Sequence, residues 1–321
     1  MLGRSERESG PQALLAATAA GWGADGDDSG RSEPDALLDL GSTTATLSTV
    51  ASIDGLSAVV HLGHPAQPSH ELERALLSAP PSLVLSAAVA VPAQWVWVGR
   101  SASAQDASGP VVVDEAGMRD RRHVLRTMGM SPRLVPTRTS LEERVALAGS
   151  DGTLVVERSV ATAALAPLGF GELPGSEALS QGAPVWYGLL ESRESAPRAA
   201  GAAQVWLAFG PRDDHRGSLQ QTLGLVADAG IDLQHVRSHR SQAGPHIFFS
   251  AFSCPDADVL DRLLADFDDR GVAHRLLAVL PGQEFVPGPD ALAPRWSAVG
   301  PLSRPADAPA AEPDLPHLRP A

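Results

Sequence analysis

The chain has 321 residues with 25 basic against 38 acidic side chains and a formal net charge of −13, which excludes a general nucleic-acid or anionic-membrane surface because those need a basic face. It contains neither lysine nor asparagine, so a Schiff-base or pyridoxal-phosphate lysine and a P-loop lysine are excluded, and every basic residue is an arginine suited to carboxylates or phosphates. Cys254 is the only cysteine, which excludes an intrachain disulfide and a cysteine-rich metal site and predicts a cytoplasmic location.

In chain order, the polar stretch from Met1 to Gly10 lacks the basic-then-apolar order of a secretory leader. Residues 1–36 are expected to be poorly ordered, since 20–34 are rich in Gly and Asp and offer little apolar surface. Helices are predicted near Thr44–Ala51 and Ser69–Leu77, and strands at Leu56–Leu62 and within Val84–Val98. That last run is the most apolar of the chain, but Pro92 and Gln94 interrupt it and it falls short of the roughly 20 residues of a membrane span. Trp95 and Trp97 alternate on one strand and should share a packed face.

Strands Pro110–Val113, Leu134–Val135 and Leu154–Val156 then alternate with a helix Met118–Met128, a second capped by Ser140 with Glu143 at capping-box spacing, and a third, Ser159–Leu168. This alternation predicts a mostly parallel sheet covered by helices. Arg119, Arg121, Arg122, Arg126 and Arg133 form a basic cluster, read as a solvated helix face, with an anion site as the alternative. His61 and His64 stand three apart before Pro65 and read as loop residues, so no metal is proposed.

Residues 203–282 carry the clearest pattern. Gln204–Phe209 reads as a strand, Ser218–Ala229 as a helix closed by Gly230, Ile231–Arg237 and His246–Phe252 as strands, Asp256–Arg270 as a helix, and Ala273–Leu280 as a last strand. The order βαββαβ is the ferredoxin-like arrangement. A proline-rich tail, 286–321, is expected to be disordered.

The motifs Gly217-Ser-Leu-Gln, Gly230-Ile-Asp-Leu and Val236-Arg-Ser-His-Arg240 resemble, in that order, the ACT domain of prephenate dehydratases. Upstream, Val135-Pro-Thr-Arg-Thr-Ser-Leu-Glu-Glu143 is similar to that family's hydroxyl-pair segment, and Gly152–Glu157 through Phe170 to its next strand, helix and turn. The resemblance implies an α/β two-lobed fold of the type 2 periplasmic-binding kind followed by an α+β ferredoxin-like ACT domain. Lobe 1 would be 37–104 with 174–200, lobe 2 105–173, and the ACT domain 203–282.

It also implies a function: conversion of prephenate to phenylpyruvate in L-phenylalanine biosynthesis, without a cofactor. Prephenate or a related small carboxylate would lie in the cleft, L-phenylalanine or another amino acid at the ACT domain, and the chain would be a homodimer. Carried over by residue, Thr139 and Ser140 fall on the catalytic-region hydroxyl pair, and Gly217, Ser218, Leu219, Arg237, Ser238 and His239 on the ACT ligand site. Other family segments are replaced. The Pro-Ile-Glu-Asn-Ser segment falls on His61-Leu-Gly-His-Pro65, and the segment bearing the catalytic threonine on Ala183-Pro-Val-Trp-Tyr187. Thr139 and Ser140 also read as helix caps. The alternative is a non-catalytic, amino-acid-responsive regulatory or partner-binding protein derived from the enzyme. A solute-binding module using the cleft for another ligand is the third reading.

Overall fold

The computed structural model describes residues 1–23, 36–100, 109–195, 197–198, 201–211, 215–240, 246–282 and 285. It opens with strand β1 (Leu2–Arg4) and helix α1 (Gly10–Ala20). Ser9 caps α1 by accepting from the Gln12 amide, Pro11 occupies the first turn where no donor is needed, and Gly21 ends the helix at φ 68°. These elements overturn the expected disorder at the N-terminus: Ala13, Ala16 and Ala17 are fully buried, small enough for α1 to lie directly on the sheet. Residues 24–35 and the expected tail 286–321 lie outside the described residues.

The first lobe continues with β2 (Leu38–Asp39), α2 (Thr43–Ser52), β3 (Ser57–His64), β4 (Gln67–Pro68), α3 (His70–Ser78) and β5 (Leu83–Val91). The second lobe holds β6 (Trp95–Gly99), β7 (Val111–Asp114), α4 (Glu115–Thr127), β8 (Arg133–Val135), α5 (Leu141–Ala148), β9 (Thr153–Glu157), α6 (Arg158–Val160), β10 (Gly171–Glu172) and α7 (Glu177–Ser180). The helix expected over 159–168 is α6 followed by a π-turn, Ala161–Leu165, and a 3-10 turn, Ala166–Leu168. Pro167 donates no amide and its ring crowds the carbonyl four residues back, so regular α spacing is not kept. Then β11 (Val185–Ser192) returns to the first lobe, and β12 (Ala203–Pro211), α8 (Ser218–Asp228), β13 (Leu233–His239), β14 (Ile247–Cys254), α9 (Ala257–Asp269) and β15 (Val272–Pro281) form the last module. No described helix is long and apolar enough to cross a membrane.

One sheet runs β13-β14-β12-β15-β5-β11-β3-β1-β2, with β4 attached to β3; the other runs β10-β6-β9-β7-β8. In the second sheet β7 is parallel to β8 and β9, as expected for those three strands, and the sheet as a whole is mixed because β6 is antiparallel to β9 and β10 to β6. Strand β6 arrives by a direct crossing from β5 rather than through a helical return, so it runs against its neighbour. Its pairing also moves the lobe boundary from 104 to residues 92–94. His61 and His64 end strand β3 instead of lying in a loop.

The last module is an antiparallel four-stranded βαββαβ unit, as expected. Val205, Leu207, Phe209 and Phe252 pack beneath α8 and α9 with Phe267. The opposite face, with Trp206, Phe249 and Leu277, shares one core with Leu47 and Val50 of α2 and Leu72 and Leu76 of α3. Strand β12 reads as a continuous apolar run because both its faces are covered. The Trp206 indole N–H donates to the Pro65 carbonyl at 2.6 Å, and Ala278 of β15 pairs in parallel with Leu85 of β5.

Arg275 of β15 closes the seam. Its Nη1 donates to the carbonyls of Leu76 (3.3 Å) and Ala79 (2.8 Å), and its Nη2 to those of Pro80 (2.7 Å) and Leu83 (3.3 Å). These carbonyls belong to the C-terminal end of α3 and the link into β5; those of Leu76 and Pro80 also accept from the Ala79 and Leu83 amides. Replacing Arg275 with Ala should cost about 2–4 kcal/mol in chemical denaturation, with Lys recovering less than half, because an ammonium cannot reproduce the planar fork.

Candidate functional site

A cleft of about 600 Å³ lies where the two lobes meet, at the carboxyl ends of β1, β3 and β7, where open α/β sheets bind ligands. Three helices begin on it: Thr43 and Thr46 come from the start of α2, Ser69 to Leu72 from the start of α3, and Glu115 from the start of α4. Ser42, Ser69 and Asp114 cap them by accepting from the amides of Ala45, Leu72 and Gly117. Amide N–H groups and the positive ends of three helix dipoles therefore converge on one cavity, which favours an anion.

Beneath the cleft lies a buried polar floor centred on Asp120 of α4, whose side chain is fully buried. Its Oδ2 accepts from the Trp95 indole N–H at 3.0 Å, and its Oδ1 accepts from Arg119 Nε at 3.1 Å and faces His61 Nε2 at 3.4 Å. Gly117 makes this approach possible, since a Cβ there would meet the Trp95 ring at 2.9 Å. Arg119 also pairs with Glu8 at 3.1 Å; burial would lower its pKa, but Glu8 and Asp120 outweigh that and raise it. Burial first, and the Arg119 charge second, hold the His61 pKa well below its ordinary value. The Nδ1 of His61 accepts from the Gly63 amide at 3.2 Å, so His61 is neutral with its proton on Nε2. Tyr187 meets the His61 ring edge-on at 5.8 Å. Burial, then the charge of Asp120, raises its pKa well above the usual value and keeps it a phenol.

The groups left over face the cleft. Ser5 Oγ and Thr46 Oγ1 are buried and have no hydrogen-bond partner among the described residues. Arg122 lines the cleft, and among the described residues it makes no ion pair, whereas Arg7 pairs with Glu71 and Arg119 with Glu8. The expected solvated arginine face is thus divided. Arg122, Arg126 and Arg133 are exposed, but Arg119 enters the floor and Arg121 is buried, donating to the carbonyls of Gln181 and Ala183 at 3.3 Å each. These two point at the lobe junction because α4 packs there against the segment leading into β11.

The residues singled out from the sequence fall in three places. Ser140 caps α5 by accepting from Glu143, and the Thr139 carbonyl accepts from Arg144 at 3.0 Å; neither lines the cleft. Gly217 begins α8 at φ 98°, and Ser218 borders a second cavity of about 400 Å³ with His215, Gln221, Thr222 and Arg270, while Leu219 packs into the module core. Arg237 and His239 bond instead to Glu73 of α3, and Ser238 lies between them, so the six expected ligand contacts are not brought together. His61 and His64, three apart on a strand, turn to Tyr187 and Trp186 respectively. The floor residues Glu8 and Asp120 were not singled out from sequence, whereas Arg122 belongs to the basic cluster for which an anion site was the alternative reading. The available signal was the junction Val113-Asp-Glu-Ala116, an Asp cap directly after a strand.

The fold is that of a two-lobed α/β protein with a cleft between the lobes and a βαββαβ module. The prephenate dehydratase of Arthrobacter aurescens, solved in complex with L-Phe, is similar at 18% identity over 90% of this chain and 92% of that one, TM-score 0.62. That of Staphylococcus aureus is similar at 11% identity over 76% and 89%, TM-score 0.55. GqqA, described as a novel type of quorum quenching acylase, is similar at 15% identity over 89% and 99%, TM-score 0.59. The chain therefore has the prephenate dehydratase fold. No protein-family profile and no curated protein sequence matches it.

One group behind the cleft gives a pH signature. Asp114 is fully buried, and burial, then the Glu157 charge, raises its pKa from 3.8 to about 6 despite Arg144 at 2.8 Å. Between these values the unfolded chain releases a proton that folded Asp114 retains, so the contribution of Asp114 to stability falls as pH rises from about 4 to 6 and levels above. The slope amounts to about 3 kcal/mol in all. Urea titrations across that range should show it in the parent and a flatter profile in Asp114→Asn.

Proposed function

We propose that this chain is a prephenate dehydratase-like protein whose interlobe cleft takes prephenate or a closely related small carboxylate, and whose βαββαβ module is an ACT domain responsive to L-phenylalanine or another amino acid. The observation that carries the reading is Arg122, a guanidinium with no ion pair among the described residues, in a cleft onto which three helix N-termini open.

Prephenate brings two carboxylates, and its conversion expels carbon dioxide and water after one proton reaches the leaving hydroxyl. Arg122 and the helix amides are suited to hold a carboxylate. The hydroxyls of Ser5 and Thr46, buried and without partners among the described residues, are suited to donate to the departing oxygen. His61 has both nitrogens engaged and is a support. Thr139 and Ser140 enter as positioning residues: Thr137 on the same turn donates to the Arg7 carbonyl at 3.4 Å, tying that turn to the cleft loop. At the module, the start of α8 at Gly217–Ser218 together with Arg270 offers amides and a guanidinium to an amino-acid carboxylate. In a homodimer, contacts would fall to α8, α9 and the β13 edge, since β15 pairs with β5.

A second reading, a non-catalytic amino-acid-responsive protein, is favoured by one observation: Val185, a buried apolar residue, stands where the resemblance places the catalytic threonine. The similarity to an acylase also means that the fold does not by itself set the reaction.

Phenylpyruvate should form from prephenate above the uncatalysed rate, and Arg122→Ala should raise KM by about tenfold or more with the fold intact. Absence of turnover with folded protein would select the regulatory reading, and absence of prephenate binding would remove the cleft assignment. L-phenylalanine should raise the melting temperature of the parent and not of Gly217→Val; the absence of a shift with any amino acid would remove the ACT assignment.

A further inference from the structure

We propose that His70, Glu73 and His239 form a binding site for a divalent transition-metal ion such as Zn²⁺, with His235 completing the set. The site lies at the seam between α3 and the βαββαβ module, beside the cleft that His70 also lines, and does not depend on the reaction proposed above.

Backbone periodicity builds it. His70 and Glu73 stand three apart on α3 and so share a helix face. His235, Arg237 and His239 alternate along β13 and so share a strand face. The two faces meet: one ligand atom from each of His70, Glu73 and His239 lies within 4.8 Å of the others. His239 Nε2 contacts Glu73 Oε1, the rings of His70 and His239 stack at 5.7 Å, and His235 Nε2 lies 3.8 Å from Glu73 Oε2. That nitrogen is buried and has no hydrogen-bond partner among the described residues. Two or three imidazoles and one carboxylate are a zinc donor set, and a tetrahedral ion would draw the donors to about 3.3 Å apart, within reach of side-chain rotation.

A cation already occupies this position. Arg237 Nη1 bonds to Glu73 Oε2 and approaches His70 Nδ1 at 2.9 Å. Because a guanidinium only donates, His70 Nδ1 presents its lone pair inward, as a metal ligand must. Glu73 is fully buried; burial raises its pKa, but the neighbouring His235 and His239 imidazoles and the Arg237 charge hold it below the ordinary value. The Arg237 side chain is partly exposed and can swing out, leaving an ion with the same carboxylate. His70 is exposed and borders two cavities, which gives an entry path.

The test is calorimetric titration of ZnCl₂ into the full, untagged chain after chelator treatment and desalting, with Co²⁺ absorption spectra as an independent readout of imidazole ligation. One Zn²⁺ per chain is expected, weakened at least about tenfold in His70→Ala and in His239→Ala and tightened in Arg237→Ala, where the competing guanidinium is gone. His123→Ala, at an exposed histidine elsewhere, should bind as the parent does. Absence of stoichiometric binding in both the parent and Arg237→Ala would overturn the site, as would binding that neither histidine substitution weakens while circular dichroism shows both variants folded.

Discussion

Everything about the cleft depends on one buried carboxylate. Asp120 lies at the lobe junction with its side chain out of water, and three groups from different parts of the chain converge on it: Trp95 from the crossing strand, His61 from the first lobe and Arg119 from its own helix. A carboxylate in such a place is tolerated only with its lone pairs filled, and removing one partner strands the rest. The requirement fixes how α4 sits against β3 and β6. It also leaves the floor electrically self-contained: Arg119 is occupied by Glu8 and Asp120, and His61 is neutral. The cleft's capacity for an anion then falls to Arg122 and the helix N-termini.

The module is part of the same construction. Its sheet continues into that of the first lobe through β15 and β5, and its inner face shares a core with α2 and α3. Helix α3 is held at both ends. Arg275 binds carbonyls at its C-terminus, Arg237 and His239 bind Glu73 near its start, and the first turn lines the cleft. Any change in the β13 side chains therefore acts on a helix that also forms a cleft wall.

The βαββαβ unit was legible in the sequence because each helix shows one apolar face and each strand a short run bounded by turn residues. Ser140 and Glu143 likewise announced the start of α5. The N-terminal strand and helix were obscured, since alanines that pack by being small resemble a chain with little to bury. The mixed sheet was hidden because alternation of strands and helices does not reveal a strand that crosses lobes directly. The floor was hidden for a different reason. Glu8, His61, Asp120 and Tyr187 are scattered along the chain, and a buried network has no spacing to betray it. The arginines of α4 looked uniform, although tertiary packing makes Arg119 and Arg121 structural and leaves Arg122 without an ion pair among the described residues. The missing lysine and asparagine matter here, because they leave arginine as the only permanent cation in the cleft.

The central claim is that this cleft receives a carboxylate on Arg122 and the converging helix N-termini, above a floor that stays closed. A crystal structure of the chain with phenylpyruvate would test it most directly. The account predicts the carboxylate on Arg122 and the amides that open α2, α3 or α4, with the Glu8–Arg119–Asp120 contacts unchanged. A ligand bound instead by Arg119 with those contacts broken, or an empty cleft at saturating ligand, would contradict it.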